Sequence, residues 1–546
     1  MAVSAAETRD GANCGRNAAR RLESPQDSTT LHHWYRGDTR FRIAPDRAAA
    51  GTAASRQQKD FPAMSSTTLA AAPLDLAPLE DPGAEARQLF AAQRVALARD
   101  GVPDLASRLA ALDKLQAQIK KHRRAFAEAI SADFGNRSAA ESDLAEIITA
   151  LNGIQHAKRH LAKWMKPQRR SVHWTFQPGT ARVVYQPLGI VGIISPWNYP
   201  LMLSLAPICD ALAAGNRVML KPSELTPRVS TLLKRMLGEV FAPEQVAVVL
   251  GGADTAQEFS ALAFDHLLFT GSTATGRHVM RAAAENLTPV TLELGGKSPV
   301  VLCRDYPLKK AARTIAIGKY LNAGQTCIAP DYALVPADLV ESFAETFLAE
   351  TRSLYPTIAG NPDYSSIVSD RHYRRLTGLI DSARAAGARV LQREDSAAAA
   401  ERKLPPTVLL QTTGAMPVMQ EEIFGPILPV VPYTDLDQAI QFINAGAKPL
   451  ALYCFSNDHA IVEGVLARTT SGGVTVNGTL MHVAQDDLPF GGVGPSGIGA
   501  YHGHDGFIRL SHARAVFEIS RFSALDRLAP PYGRFFKFVT GLLLGK

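Results

Sequence analysis

Five short apolar runs, at 190–194, 218–220, 246–250, 266–269 and 290–292, recur with helical stretches between them. A strand that is apolar throughout, and not only at alternate positions, is buried on both faces. Helical crossovers between such strands make a parallel sheet. A second series follows at 300–303, 333–335, 427–431, 450–455 and 474–476. The chain therefore reads as α/β with two doubly wound domains, and its 546 residues exceed what one hydrophobic core ordinarily serves.

The flanking segments read differently. Residues 1–63 are rich in Ala, Arg, Ser and Gly, hold ten basic and seven acidic residues, and lack periodicity. They cannot bury enough apolar surface to order themselves, so disorder is expected. Their acidic residues and missing apolar core argue against a transit peptide, and Met64 offers a second plausible start with 483 residues counted from it to the last one. After Asp104, Leu105, Leu109, Leu112, Ile119, Phe126 and Ile130 recur at helical spacing. Behind Ser138 a second helix is expected to carry Leu144, Ile147, Ile148, Leu151, Ile154 and Leu161 on one face. Val172-His-Trp-Thr-Phe176 and Ala181-Arg-Val-Val-Tyr185 flank a Pro-Gly turn and predict a β-hairpin arm. The apolar run 535–544 is too short to span a bilayer and is expected to dock on the body or on a partner subunit.

Composition removes several function classes. The 58 basic residues against 51 acidic ones include no long basic run with an aromatic ladder, so the charge reads as surface solvation and not nucleic-acid binding. Cys14, Cys209, Cys303, Cys327 and Cys454 are scattered, odd in number and without a CxxC pair. That argues against a disulfide framework or a metal site and for a reducing compartment, the cytoplasm.

The chemistry gathers at Asn322-Ala-Gly-Gln-Thr-Cys327-Ile-Ala-Pro-Asp331. An isolated cysteine is most often a small buried hydrophobe. This one follows Glu293, in Leu292-Glu293-Leu294-Gly295-Gly296-Lys297, by 34 residues. A thiol partnered by a carboxylate suits a reaction that holds an acyl group covalently and then releases it. Asn198, in Ser195-Pro-Trp197-Asn198-Tyr-Pro200, follows the first strand at the end where open α/β sheets bind ligands. Its amide can donate to an oxyanion, and it can equally cap a helix starting at Pro200. Lys221-Pro-Ser-Glu224 suits the hydroxyls of a nucleotide ribose or, alternatively, a surface salt-bridge turn. In Phe269-Thr270-Gly271-Ser272-Thr-Ala-Thr-Gly276, two glycines at a strand-to-helix turn would admit a phosphate, although the pattern is neither GxGxxG nor a P-loop. Glu421-Glu422-Ile-Phe424-Gly-Pro426 and the glycine-rich loop 488–497 complete the set.

In this order and at these spacings, the stretch from about Leu105 to Phe517 resembles the aldehyde dehydrogenase superfamily. Cys327-Ile-Ala-Pro-Asp-Tyr332 and Gly499-Ala-Tyr-His-Gly503 resemble its class 3 branch, and within it the coniferyl-aldehyde dehydrogenases. The resemblance implies a Rossmann-type cofactor domain (64–168 and 188–295), a second α/β catalytic domain (296–505), a small β bridging element (169–187 and 506–520) and a tail (521–546). It implies NAD(P)-dependent oxidation of an aldehyde to the acid through a thiohemiacetal and a thioester, with an aromatic or α,β-unsaturated substrate such as coniferyl aldehyde. Cys327 would be the nucleophile, Asn198 and the Cys327 N–H the oxyanion hole, and Glu293 the base. Trp197, Lys221, Glu224, Thr270, Gly271, Ser272, Gly276, Leu294, Glu422 and Phe424 would contact the cofactor, NAD or else NADP. A homodimer is implied, with no nucleic acid, no membrane span and no metal. The competing readings are a medium-chain aliphatic aldehyde dehydrogenase, a cofactor-independent thiol hydrolase and a catalytically silent relative; intact Cys327, Glu293 and Asn198 speak against the last.

Overall fold

The computed structural model describes residues 81–393, 395–523 and 525–545. The expectation of disorder over 1–63, and the whole stretch to residue 80, lie outside the described residues.

Asp104 accepts the Ser107 N–H at 2.8 Å and opens the helix Leu105–Phe134, whose Leu112, Leu115, Ile119, Phe126 and Ile130 are buried. Gly135, at φ 91°, ends it in a conformation that costs a residue with a Cβ far more. The next helical stretch departs from a regular α-helix. Asp143–Ile148 winds as a π-helix, and the wider turn rotates its side chains out of phase with the α-helix that follows. Leu144 is consequently 63% exposed and Ile148 also faces solvent, while Glu146 and Ile147 are buried. The single apolar face expected there is broken at these two positions.

The first apolar series forms a six-stranded sheet in the order Gly497–Ile498, Val290–Glu293, His266–Thr270, Ile190–Ile194, Arg217–Lys221, Val246–Val248. Only Gly497–Ile498 runs antiparallel. The second series forms a seven-stranded sheet, Arg389–Gln392, Thr407–Leu410, Ile427–Tyr433, Tyr332–Pro336, Pro299–Leu302, Ala451–Phe455, Gly473–Val476, parallel except at Arg389–Gln392. Helices such as Met202–Ala214, almost wholly buried, cover these sheets. A third, three-stranded antiparallel sheet stands apart, with Thr180–Pro187 between Gln168–Arg170 and Ser511–Glu518.

The hairpin thus forms from other residues than expected. Its first arm is Gln168–Arg170, and Trp174–Phe176 is a 3-10 turn capped by His173. In the tail, the helix Arg534–Leu543 has no buried residue and packs chiefly on the turn Leu525–Leu528, so of the two seats expected for it the body is not the one used.

Candidate active site

In the first sheet the chain reverses direction of growth at Ile190–Ile194. Arg217–Lys221 and Val246–Val248 add on one side, His266–Thr270 and Val290–Glu293 on the other. A crevice opens beyond the carboxyl ends of strands at such a switch point. The segments leaving those ends carry Asn198, Lys221, Gly271 and Glu293.

The groups around that crevice suit a dinucleotide. Thr270 Oγ1 is buried and has no hydrogen-bond partner among the described residues. Beside it Ser272 caps the helix Thr273–Ala284 by accepting the Thr275 N–H at 3.2 Å, and the remaining first-turn N–H groups of such a helix suit a phosphate. At Gly276 a Cβ would stand 2.7 Å from Leu294 Cδ2, so a larger residue would push the Leu294 side chain aside where this helix meets the Glu293 segment. Lys221 is buried, and its Nζ donates to Glu224 Oε2 at 3.0 Å. An ammonium buried at a strand end is not the surface salt-bridge turn that the sequence left open. The Trp197 ring meets Phe424 edge-on at 5.4 Å and His372 at 5.1 Å, giving one aromatic wall.

Cys327 follows a strained approach. Asn322, Ala323 and Gly324 have φ of 53°, 51° and 77°, a left-handed run that costs non-glycine residues about 1 kcal/mol or more each. Several hydrogen bonds hold it. The Glu141 carboxylate accepts the Asn322 N–H at 3.2 Å, and Asn322 Nδ2 donates to the Asn198 carbonyl at 3.0 Å. Gln325 Nε2 donates to the Ser366 carbonyl at 3.1 Å, and Thr326 Oγ1 lies 2.7 Å from Tyr199 Oη. Tyr453 Oη donates to the Ile328 carbonyl. The half-buried thiol is pushed up to about 12, first by burial and then by the Glu422 and Glu293 carboxylates, while the N–H groups of Cys327 and Ile328 counter the shift.

Asn198 is only 3% exposed, yet its side chain caps nothing; the helix behind it begins at Met202. It is the Asn198 carbonyl that accepts from Arg137 and Asn322, each at 3.0 Å, which leaves the amide for another partner. Glu293 is 2% exposed at the end of its strand, and neither carboxylate oxygen has a partner among the described residues. Burial raises its carboxyl well above the usual range, and Arg509 offsets this only in part. Glu422 is half-buried and lies at about 8, raised by desolvation and Asp331 and lowered by the Gly296 N–H, Lys297 and Arg375. It fills the space a side chain at Gly295 would need.

One carboxylate joins the motifs. Asp331 pairs with Lys297 and accepts the Ile423 N–H at 2.9 Å, while Lys297 Nζ also donates to the Glu421 carbonyl at 2.9 Å. The stretches 292–297, 322–331 and 421–426 therefore converge on a single ion pair. Lys221 and Glu224 follow the strand beside Ile190–Ile194, and the Ser195 N–H donates to the Lys221 carbonyl at 3.1 Å. Sequence reasoning missed the buried support behind this array. Arg137 and Glu146 form a fully buried pair at 2.8 Å, and Glu146 accepts the N–H groups of Leu201 and Met202 at 2.7 and 3.1 Å. Nothing in their local sequence distinguishes them from charges on a solvated helix face. Lys297 and Asp331 did carry a signal, since both lie inside motifs already singled out.

The chain is similar to known proteins. The family model described as "Aldehyde dehydrogenase family" matches residues 84–516. A protein of Pseudomonas aeruginosa named "Probable coniferyl aldehyde dehydrogenase" is 53% identical over 463 residues, 84% of this chain and 97% of that protein. The "Coniferyl aldehyde dehydrogenase" of a Pseudomonas species is 44% identical over 81% of this chain and 93% of its own length. Among solved structures, a substrate-bound state of Staphylococcus aureus AldH superposes with a TM-score of 0.80 at 38% identity, covering 84% of this chain and 99% of that one.

Proposed function

The chain belongs to the aldehyde dehydrogenase family, and from that premise we propose that it oxidises an aromatic or α,β-unsaturated aldehyde, such as coniferyl aldehyde, through covalent catalysis at Cys327. The substrate class follows the names of its relatives. Residues 64–168 and 188–295 bind NAD, 296–505 supply the nucleophile, and the strands within 169–187 and 506–520 bridge two subunits of a cytoplasmic homodimer.

Cys327 Sγ attacks the carbonyl carbon, and the resulting oxyanion accepts hydrogen bonds from the Asn198 amide and the Cys327 N–H. When bound, the nicotinamide supplies the acceptor for the hydride that leaves the thiohemiacetal. Cys327 then carries a thioester. Glu293 takes a proton from water, the hydroxide adds to the thioester carbonyl, and the sulfur leaves as the acid is released. Lys221 and Glu224 hold the adenine ribose, and Thr270, Gly271, Ser272 and Gly276 hold the pyrophosphate. Trp197, Leu294, Glu422 and Phe424 hold the nicotinamide end. The observation that carries this reading is Glu293: two buried oxygens with no partner, within electrostatic reach of the only cysteine that is not fully buried among the described residues.

A panel of aromatic and aliphatic aldehydes with NAD and NADP, followed by the absorbance of reduced cofactor, tests it. The highest kcat/KM is expected with the aromatic or unsaturated members and with NAD, because the Glu224 carboxylate repels a 2′-phosphate. Strong preference for short aliphatic aldehydes would reject the substrate class, and clear NADP preference the role of Glu224. Ester hydrolysis with no cofactor-linked signal would favour a thiol hydrolase. In Asn198→Ala the carbonyl bonds to Arg137 and Asn322 persist, so the loss reports the amide alone. Turnover should fall by ~10²–10³-fold; unchanged turnover would leave Asn198 a purely structural residue.

A further inference from the structure

A small cavity beside the candidate active site carries polar groups that the steps above leave without a task. It lies between the helices Thr149–Trp164 and Met202–Ala214 and the segment 483–503. Ile154, Met202 and Val483 give it apolar walls, while Asp210, Asp486 and His502 bring polar groups to the same space. Its volume of about 30 Å³ suits one water-sized group. His502 is 8% exposed, and its Nε2 is buried with no hydrogen-bond partner among the described residues. Asp210 Oδ2 accepts the His502 N–H at 3.3 Å, which holds that residue at the cavity. Burial, and His482 after it, lower the His502 imidazole to about 4, so the ring is neutral and offers one donor and one acceptor nitrogen. The chemistry is close by. The helix Met202–Ala214 begins four residues after Asn198. The phenol of Tyr501, the residue before His502, is raised first by burial and then by Glu293, Cys327 and Asp210, so one ring links the reacting pair to the cavity.

We propose that this cavity receives the ring hydroxyl of a 4-hydroxylated aromatic aldehyde, which donates to the Asp486 carboxylate and accepts from His502 Nε2–H. The assignment rests on the reading of the chain as an aromatic-aldehyde dehydrogenase and names the substituent that its site selects. A phenol hydroxyl both donates and accepts, so it satisfies a carboxylate and an imidazole at once, whereas a ring hydrogen satisfies neither. The space is too small for the ring itself, so only the oxygen enters. An analogue lacking the hydroxyl leaves those groups unpaired and is penalised for it. A cation is not the better occupant, because no group of three His, Cys, Asp or Glu side chains among the described residues is placed to hold a metal ion.

The kcat/KM of the full chain with NAD, for 4-hydroxycinnamaldehyde against cinnamaldehyde and 4-fluorocinnamaldehyde, tests the proposal. Fluorine is close to a hydroxyl in size but cannot donate. The hydroxylated aldehyde should lead by ~10–100-fold. Asp486→Ala and His502→Asn, measured singly, should each cut that lead about tenfold. Turnover of cinnamaldehyde should be retained in both, which shows that they fold. Asparagine suits the left-handed backbone of His502, at φ 84°. Equal kcat/KM for the three aldehydes in the parent would overturn the proposal and leave aromatic-aldehyde oxidation standing. An unchanged lead in both variants, or an equal loss on all three aldehydes in both, would overturn it too. Oxidation of short aliphatic aldehydes alone would reject the substrate class, and the proposal with it.

Discussion

Cys327→Ala is expected to lose aldehyde oxidation and ester hydrolysis together, on the order of 10⁵-fold or more, while binding the nicotinamide cofactor as tightly as the parent. Both reactions would use one nucleophile, and no other described cysteine can replace it. Cys209 is packed in the main core, and Cys303 and Cys454 lie within the second sheet's core. The substitution should be structurally quiet. The loop is held through Asn322, Gln325, Thr326 and the Ile328 carbonyl, and none of those bonds uses the sulfur. Appreciable turnover by the purified variant, at a level contamination cannot explain, would remove Cys327 from the mechanism.

Glu293→Gln should separate the two halves of the reaction. Glutamine keeps the size and polarity of the side chain but cannot accept a proton from water. Hydride transfer precedes that step, and the substitution removes one of the two carboxylates that hold the Cys327 thiol up. The variant should therefore release close to one equivalent of reduced cofactor per site in a burst, followed by turnover slowed ~10²–10⁴-fold. Loss of the burst itself in a folded variant would mean that Glu293 serves to deprotonate Cys327. Unaffected steady turnover would shift the role to Glu422, the other carboxyl that acts on Cys327.

The pH dependence follows from the same two groups. Thiol and carboxyl both act deprotonated, and both are raised above their usual range. The active fraction of the parent should therefore grow with pH, and its rate should climb into the alkaline range as a joint titration of the pair. The slow phase of Glu293→Gln should lose the carboxyl's part of that rise. Stability moves the other way. The Glu293 carboxyl ionises at lower pH in the unfolded chain than in the folded one, so its burial costs stability as pH rises from the ordinary carboxylate range through the raised folded value. Glutamine has no such titration, so Glu293→Gln should be more stable than the parent at neutral pH and should lose this decline with pH. Thermal melts across pH would read it.

The strands of both parallel sheets were legible because continuous apolar runs have few other uses. Arg389–Gln392 and Gly497–Ile498 were not, being short edge elements, nor was Thr407–Leu410, a four-residue strand paired on both sides with distant partners. Leu144 and Ile148 misled because a π-turn changes the angular period, and no local residue announces it. The reacting side chains were legible through their motifs. Their support was not: Glu141, Glu146 and Arg137 lie more than a hundred residues before Cys327 and reach it only through the fold. Likewise, that Asn198 contributes its carbonyl to the scaffold and keeps its amide free depends on Asn322, 124 residues away.

The most direct test of covalent catalysis is the mass of Glu293→Gln quenched just after its burst. Digestion should yield the peptide containing Cys327 heavier by the acyl group of the substrate used, at close to one adduct per chain. A burst of reduced cofactor with that peptide unmodified, or with the acyl group on another residue, would contradict the account.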